Sequence, residues 1–113
     1  MILKRTLIII TMLLLATTVL ASDKIEVRLY TNWHCKPCKI MMPYVEPVLK
    51  ELVDSKKIYL VKVDSYFLPN DPLLKEDRIE RTPSCVIIKN GYKMKYIGSK
   101  DVFEAILKLT LNT

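Results

Sequence analysis

The chain has 113 residues, half of them hydrophobic, with 18 Lys and Arg against 12 Asp and Glu and a formal charge of +6. That length accommodates one domain. The basic residues are spread along the chain, which describes a solvated surface and not the clustered stripe that nucleic-acid binding requires.

The first segment, residues 1–21, reads as an export signal ahead of a domain over residues 22–113. Lys4 and Arg5 give it a positive start, Thr6 to Leu20 is apolar and uncharged, and Val19-Leu20-Ala21 supplies the small-x-small pattern that precedes cleavage. A retained membrane anchor is the alternative, but about 15 apolar residues fall short of the roughly 20 that span a bilayer. No cysteine follows the apolar run, which argues against a lipid anchor. The remaining chain is small, yet sufficient for a core.

Ile25 to Tyr30 alternates apolar and polar residues and predicts a strand. A turn then leads into a helix from Cys35 to Asp54. Its apolar stripe is read as Ile40, Val45, Val48, Leu49, Leu52 and Val53. Pro43 and Pro47 each remove a backbone donor, so a kink is expected in the first half. Ile58 to Val63 is a second strand, and a strand–helix–strand unit of this length implies parallel pairing with a right-handed crossover. Leu68 to Ile79 reads as irregular, with a short helix from Pro72 to Asp77. Ser84 to Lys89 is a third strand, Asn90-Gly91 a two-residue hairpin turn, and Tyr92 to Ile97 the returning strand. Beyond Gly98 a last helix is expected over Asp101 to Leu111, capped by Ser99, with Val102, Phe103, Ile106, Leu107 and Leu109 as its apolar face. The order β-α-β-(α)-β-β-α predicts an α/β domain with a central four-stranded mixed sheet flanked by helices.

All three cysteines follow the expected signal. Exported chains meet oxidising conditions in which disulfides persist. A structural framework favours an even count at wide spacings. Cys35 and Cys38 are close neighbours instead, and a bond enclosing so little chain stabilises little. It suits a bond that opens and closes. The pair lies in Trp33-His34-Cys35-Lys36-Pro37-Cys38-Lys39, where a strand turns into a helix. A helix N-terminus carries unsatisfied N–H groups and partial positive charge, which stabilise a thiolate. Lys36, Lys39 and protonated His34 push the same way. Cys38 lies on the same side one turn further in, so Cys35 can attack a substrate disulfide and Cys38 can resolve the mixed disulfide. Pro37 suits the first helical turn. Two other readings stand beside this one. One is a zinc site completed by His34 and Cys85, possible on count but cramped. The other is an inert structural disulfide.

Cys35-Lys36-Pro37-Cys38-Lys39-Ile40-Met41-Met42-Pro43 resembles the active-site helix of the thioredoxin family, including the proline five residues after the second cysteine. Arg81-Thr82-Pro83-Ser84, followed by an apolar strand and Lys89-Asn90-Gly91, resembles the family's cis-proline loop and hairpin. Tyr96-Ile97-Gly98, Ser99 and the terminal helix resemble its ending, so the similarity spans residues 25–111. The resemblance implies a thioredoxin-like fold reduced to its minimal core and a thiol–disulfide oxidoreductase activity. Cys35 is then the exposed nucleophile and Cys38 the buried resolving thiol. Pro83 is cis beside the disulfide, and the backbone of Thr82 pairs with an extended substrate like an added strand. Trp33 shields the site unless it packs in the core, and His34, Lys36 and Pro37 modulate it. The redox-active disulfide itself carries two electrons, so neither an organic cofactor nor a metal is implied. The partners implied are cysteine-containing exported proteins and a redox partner protein. An exported monomer in the periplasm is expected, with secretion as the alternative and membrane contact only if the signal is retained.

Three features depart from the family pattern. His34 separates Trp33 from Cys35, where the family places Trp directly before the cysteine. Leu29 stands six residues before the nucleophile, where the family carries a buried acid, and Glu26 and Glu46 are the nearest acids. The family's N-terminal strand and helix find no counterpart. Cys85, two residues after Pro83, reads as a small buried hydrophobe or as a third redox or metal-binding thiol. Asp64 and Tyr66 read as turn residues, and at least one of Met41 and Met42 as core. Two further functions are set against exchange: a metal-binding or trafficking module using Cys35, Cys38 and His34, and a non-catalytic protein that binds peptides in the groove around Pro83.

Overall fold

The computed structural model describes residues 24–111, so the expected signal segment lies outside the described residues. Strand β1 (Ile25–Thr31) leads into helix α1 (Lys36–Asp54), strand β2 (Ile58–Asp64), short helix α2 (Pro72–Glu76), strands β3 (Ser84–Lys89) and β4 (Tyr92–Ile97), and helix α3 (Ser99–Leu111). The four strands form one mixed sheet in the order β2-β1-β3-β4. β1 pairs parallel with β2, Val27 opposite Leu60, and antiparallel with β3, Leu29 opposite Cys85. β3 and β4 form the expected hairpin, and Asn90 and Gly91 both adopt positive φ (53° and 81°), as a two-residue turn of primed type requires. This is the predicted α/β arrangement, a four-stranded mixed sheet flanked by helices.

Alternation along β1 divides the domain. Val27 and Leu29 face α1 and α3, where they join Val45, Leu49, Ile58 and Ile106 in the larger apolar cluster. Full burial of each such side chain is worth about 2 kcal/mol. The stripe of α1 sits slightly round from its predicted position. Cys38, Met41, Val45, Leu49 and Leu52 are buried, whereas Ile40 and Val53 are exposed. A stripe built from i, i+3 and i+4 steps starting at Cys38 reaches Met41, Val45, Leu49 and Leu52, and leaves position 40 on the outer side. The helix runs through both Pro43 and Pro47. In α3 the buried residues are Val102, Ala105, Ile106 and Leu109, so Ala105 takes the core place expected for Leu107. Ser99 is the first helical residue, not the cap. The carbonyl of Gly98 accepts the first bond, from the N–H of Val102 at 3.0 Å, and Gly98 has φ 93°.

The opposite face carries a smaller cluster of Tyr30, Val63 and Val86, covered by Leu73, Leu74 and Ile79. The segment read as irregular from sequence thus forms a lid on the sheet. Asp71 caps α2 by accepting the N–H of Leu73 at 2.9 Å, and Pro72 opens the helix. α2 stops at Glu76, one residue short of prediction, because Asp77 turns its side chain into the sheet. There the Asp77 carboxylate, 1% exposed, accepts bonds from the Tyr30 hydroxyl, from Arg28 at 3.1 Å and from Lys93 at 3.2 Å. Arg28 also reaches Glu26 at 2.7 Å and Glu76 at 3.1 Å.

Burial alone would raise the Asp77 pKa. The bonds from Tyr30, Arg28 and Lys93 outweigh it and hold the carboxyl below its ordinary value of 3.8. Burial opposes the Arg28 charge, but its bonds to Asp77 and Glu26 leave its pKa raised. Burial and the bond to Asp77 both push the Tyr30 hydroxyl up. A depressed carboxyl contributes stability that is complete above its unfolded value and is lost as pH falls through its folded value. Removing one partner of a buried ionic cluster strands the others, at a cost of about 3 kcal/mol. Asp77→Ala is therefore expected to destabilise the domain by about that amount near pH 7. The deficit should shrink as pH falls below about 3.8, and urea titrations at several pH values would measure both. A deficit independent of pH would contradict the assignment of charge to Asp77.

Candidate active site

The parallel pairing of β1 with β2 brings the turn after Thr31 beside the loop after Asp64, and the two are laced together. The carbonyl of Thr31 accepts the N–H of Ser65 at 2.8 Å, and Asn32 donates through its amide to the Ser65 hydroxyl at 2.9 Å. Asn32 also accepts from the backbone N–H groups of His34 (2.9 Å, side chain) and Cys35 (2.8 Å, carbonyl). Asp64, read from sequence as an ordinary turn residue, accepts the N–H groups of Trp33 at 3.2 Å and Tyr66 at 2.9 Å. Asn and Asp side chains satisfying local N–H groups are what fix such a turn. The signal available in the sequence was the pair of short polar residues, Asn32 just after β1 and Asp64 at the end of β2.

Cys35 occupies the cap position of α1 with extended backbone angles (φ −77°, ψ 108°). Its Sγ accepts the N–H of Cys38 at 3.2 Å, as a cap hydroxyl would. Cys35 is half-buried and Cys38 buried, and a disulfide joins them across a Cα separation of 5.3 Å. The carbonyl oxygen of Thr82 lies 3.4 Å from Cys35 Sγ, and the Thr82–Pro83 peptide is cis. Pro83 is fully buried and its carbonyl accepts the N–H of Gly98 at 2.9 Å. The structure thus brings Cys35, Cys38, Thr82 and Pro83 into one site. Pro37 stands in the first turn of α1, and Lys36 is exposed there.

Trp33 is 56% exposed, which disposes of the core alternative. Its ring meets Phe67 edge-on at 5.9 Å between centroids, and Lys39 sits over it at 5.3 Å from the ring centre. His34 meets Tyr66 edge-on at 4.6 Å, and Tyr66 meets Phe67 at 5.0 Å. These exposed rings form a rim beside the disulfide that sequence reasoning missed, because its members come from two loops.

Cys85 stands apart. It is fully buried on β3, opposite Leu29, and burial pushes its thiol up to about 12. It behaves as a small core hydrophobe. Among the described residues no three His, Cys, Asp or Glu side chains come together as a metal-ligating group, and His34, Cys35, Cys38 and Cys85 do not form one. No helix among them is long and apolar enough to cross a membrane. Glu26 is engaged by Arg28 on the face away from the larger core, and Glu46 pairs with Lys62 at 3.4 Å on the surface, so neither replaces the acid missing at position 29.

A family model described as Thioredoxin matches residues 11–109. The chain is 34% identical over 74 residues to the thioredoxin of Rickettsia prowazekii, an alignment covering 65% of this chain and 66% of that protein, just under two thirds of its length. Among solved structures it is similar to thioredoxin f from spinach chloroplast, at 28% identity and a TM-score of 0.62 over 80% of each chain. It also shares its fold with the germline-specific thioredoxin Deadhead from Drosophila melanogaster, at 20% identity and a TM-score of 0.62 over 85% of this chain and 89% of that one.

The contrast between half-buried Cys35 and the two buried thiols of Cys38 and Cys85 is testable. In the reduced native protein an alkylating reagent should rapidly label one cysteine, Cys35, and in denaturant all three, as read by intact mass. Rapid labelling of Cys85 without denaturant would contradict its burial.

Proposed function

This chain belongs to the thioredoxin family, a family of thiol–disulfide oxidoreductases, and from that premise we propose that it exchanges disulfides with exported protein substrates through Cys35 and Cys38. The observation that carries the reading is the capping geometry: Cys35 Sγ already receives the Cys38 N–H at the head of α1. A thiolate formed there gains a hydrogen bond and the favourable end of the helix dipole, both of which lower a thiol pKa.

In the reducing direction the Cys35 thiolate attacks one sulfur of a substrate disulfide. A sulfur–sulfur bond forms to Cys35, the substrate bond breaks, and one substrate thiolate leaves. Cys38 gives up its proton, attacks Cys35 Sγ and releases the second substrate thiolate. The substrate has gained two electrons and the protein holds the Cys35–Cys38 disulfide seen here. Oxidation of a substrate is the same sequence reversed. A redox partner protein with its own dithiol or disulfide returns the pair to its starting state.

Thr82 and Pro83 form the substrate-binding edge. The Thr82 carbonyl beside Cys35 is free to accept a backbone N–H from an extended segment, the added-strand mode of peptide recognition. Trp33 covers the flank of the site, while His34, Lys36 and Pro37 tune the charge and backbone at the helix start. The signal-like segment 1–21 supports export, with a periplasmic location and monomeric action.

Replacing Cys35 with Ser is expected to abolish exchange, whereas Cys38→Ser should accumulate a mixed disulfide that mass spectrometry detects. Exchange surviving in Cys35→Ser would refute the assignment. Equilibration with glutathione buffers then fixes the direction: a potential near about −270 mV marks a reductant, and one near about −120 mV an oxidant.

A further inference from the structure

The exchange chemistry makes no use of the charged cluster on the far side of the sheet, yet that cluster holds the segment leading to Thr82. Asp77 begins the segment, and its buried carboxylate is bound by Tyr30, Arg28 and Lys93. Lys95 reaches past it and donates to the backbone carbonyls of Asp77 at 3.2 Å and Arg78 at 3.0 Å. Arg78 is held with φ 51°, a left-handed conformation that is costly for a residue with a side chain. The segment's other end is fixed by the Ser84 hydroxyl, which donates to the Arg81 carbonyl at 2.6 Å.

Tyr30 lies on β1, whose last residue, Thr31, opens the turn into Cys35. One carboxylate therefore ties the strand that carries the nucleophile's turn to the segment that carries Thr82. The side chains that reach Asp77 come from β1 and β4, so the tie joins the residue that ends α2 to two separate strands.

We propose that Asp77 is a positioning residue for substrate: its carboxylate, held by Arg28, Lys93 and Tyr30, acts together with the hold of Lys95 on the segment's backbone to set where the Thr82 carbonyl stands relative to Cys35 Sγ. The inference rests on the exchange reading above. Its consequence is selective. A substrate that pairs its backbone with Thr82 depends on this spacing, whereas a small disulfide with no backbone does not.

The test uses Asp77→Asn, which keeps the side-chain shape and an acceptor for Tyr30 while removing the charge. Lys95→Met, at an exposed position, releases the two carbonyls without touching the buried carboxylate. Each is assayed against an extended peptide carrying an aryl mixed disulfide and against the symmetrical aryl disulfide alone. The peptide KM should rise about tenfold in Asp77→Asn and about threefold in Lys95→Met, with kcat held within about twofold and the KM for the small disulfide unchanged. Variants that melt at lower temperature but keep the wild-type peptide KM would overturn the proposal, since Asp77 would then only stabilise the fold. Equal losses on both substrates would overturn it too. Should Asp77→Asn fail to fold, Lys95→Met decides alone. A wild-type protein that exchanges with neither probe would instead sink the exchange reading, and this inference with it.

Discussion

Strand β1 has a partner on each side, parallel to β2 and antiparallel to β3, and this double pairing leaves its alternation no freedom. A slip of one residue would carry Leu29 among the charges of Arg28 and Asp77 and push Tyr30 into the apolar face, reversing every side chain at once. The register therefore fixes two things together. It puts the apolar residues of β1 under α1 and α3, and it sets the end of the strand, from which Thr31 and Asn32 turn the chain toward Cys35. The nucleophile's position is inherited from a pairing pattern formed several residues earlier.

Much of this was legible in sequence because the governing signals are local. Strand periodicity, the Asn90-Gly91 turn and the Cys-Lys-Pro-Cys start of a helix each act within a few residues, and all reappear in place. The helix faces were less exact. On α1 the large side chains of Ile40 and Val53 suggested core positions, but the stripe is set by the angle at which the helix meets the sheet, and only packing reveals that. Asp77 was invisible for a different reason. Its sequence neighbours Glu76 and Arg78 are exposed charges, and nothing local marks the one carboxylate that Tyr30 and Lys93 reach from distant strands. The aromatic rim likewise unites Trp33 and His34 with Tyr66 and Phe67 across a tertiary contact.

The two faces of the sheet solve opposite problems. The face under α1 and α3 is apolar throughout its buried cluster, and it supports the buried Cys38 side of the disulfide. The other face is thinner, covered by a five-residue helix and the chain that follows, and a lid so short buries little hydrocarbon. Charged side chains from β1 and β4 converging on Asp77 fasten it instead. Such a cluster is costly to desolvate, and its value lies less in net stability than in the single geometry that satisfies all its bonds.

That division bears on the leucine at position 29. Among the described residues the buried polar or charged side chains are Asp77 and Ser84, and Asp77 lies on the face opposite Leu29. A carboxylate at position 29 would stand among Val27, Met41 and Cys85, none of which offers the donors that a buried anion requires. The thiol of Cys85, pushed up to about 12, is itself no proton acceptor at neutral pH. The apolar face has thus been kept free of charge at the cost of an internal base. The proton that Cys38 must surrender has no acceptor in that cluster.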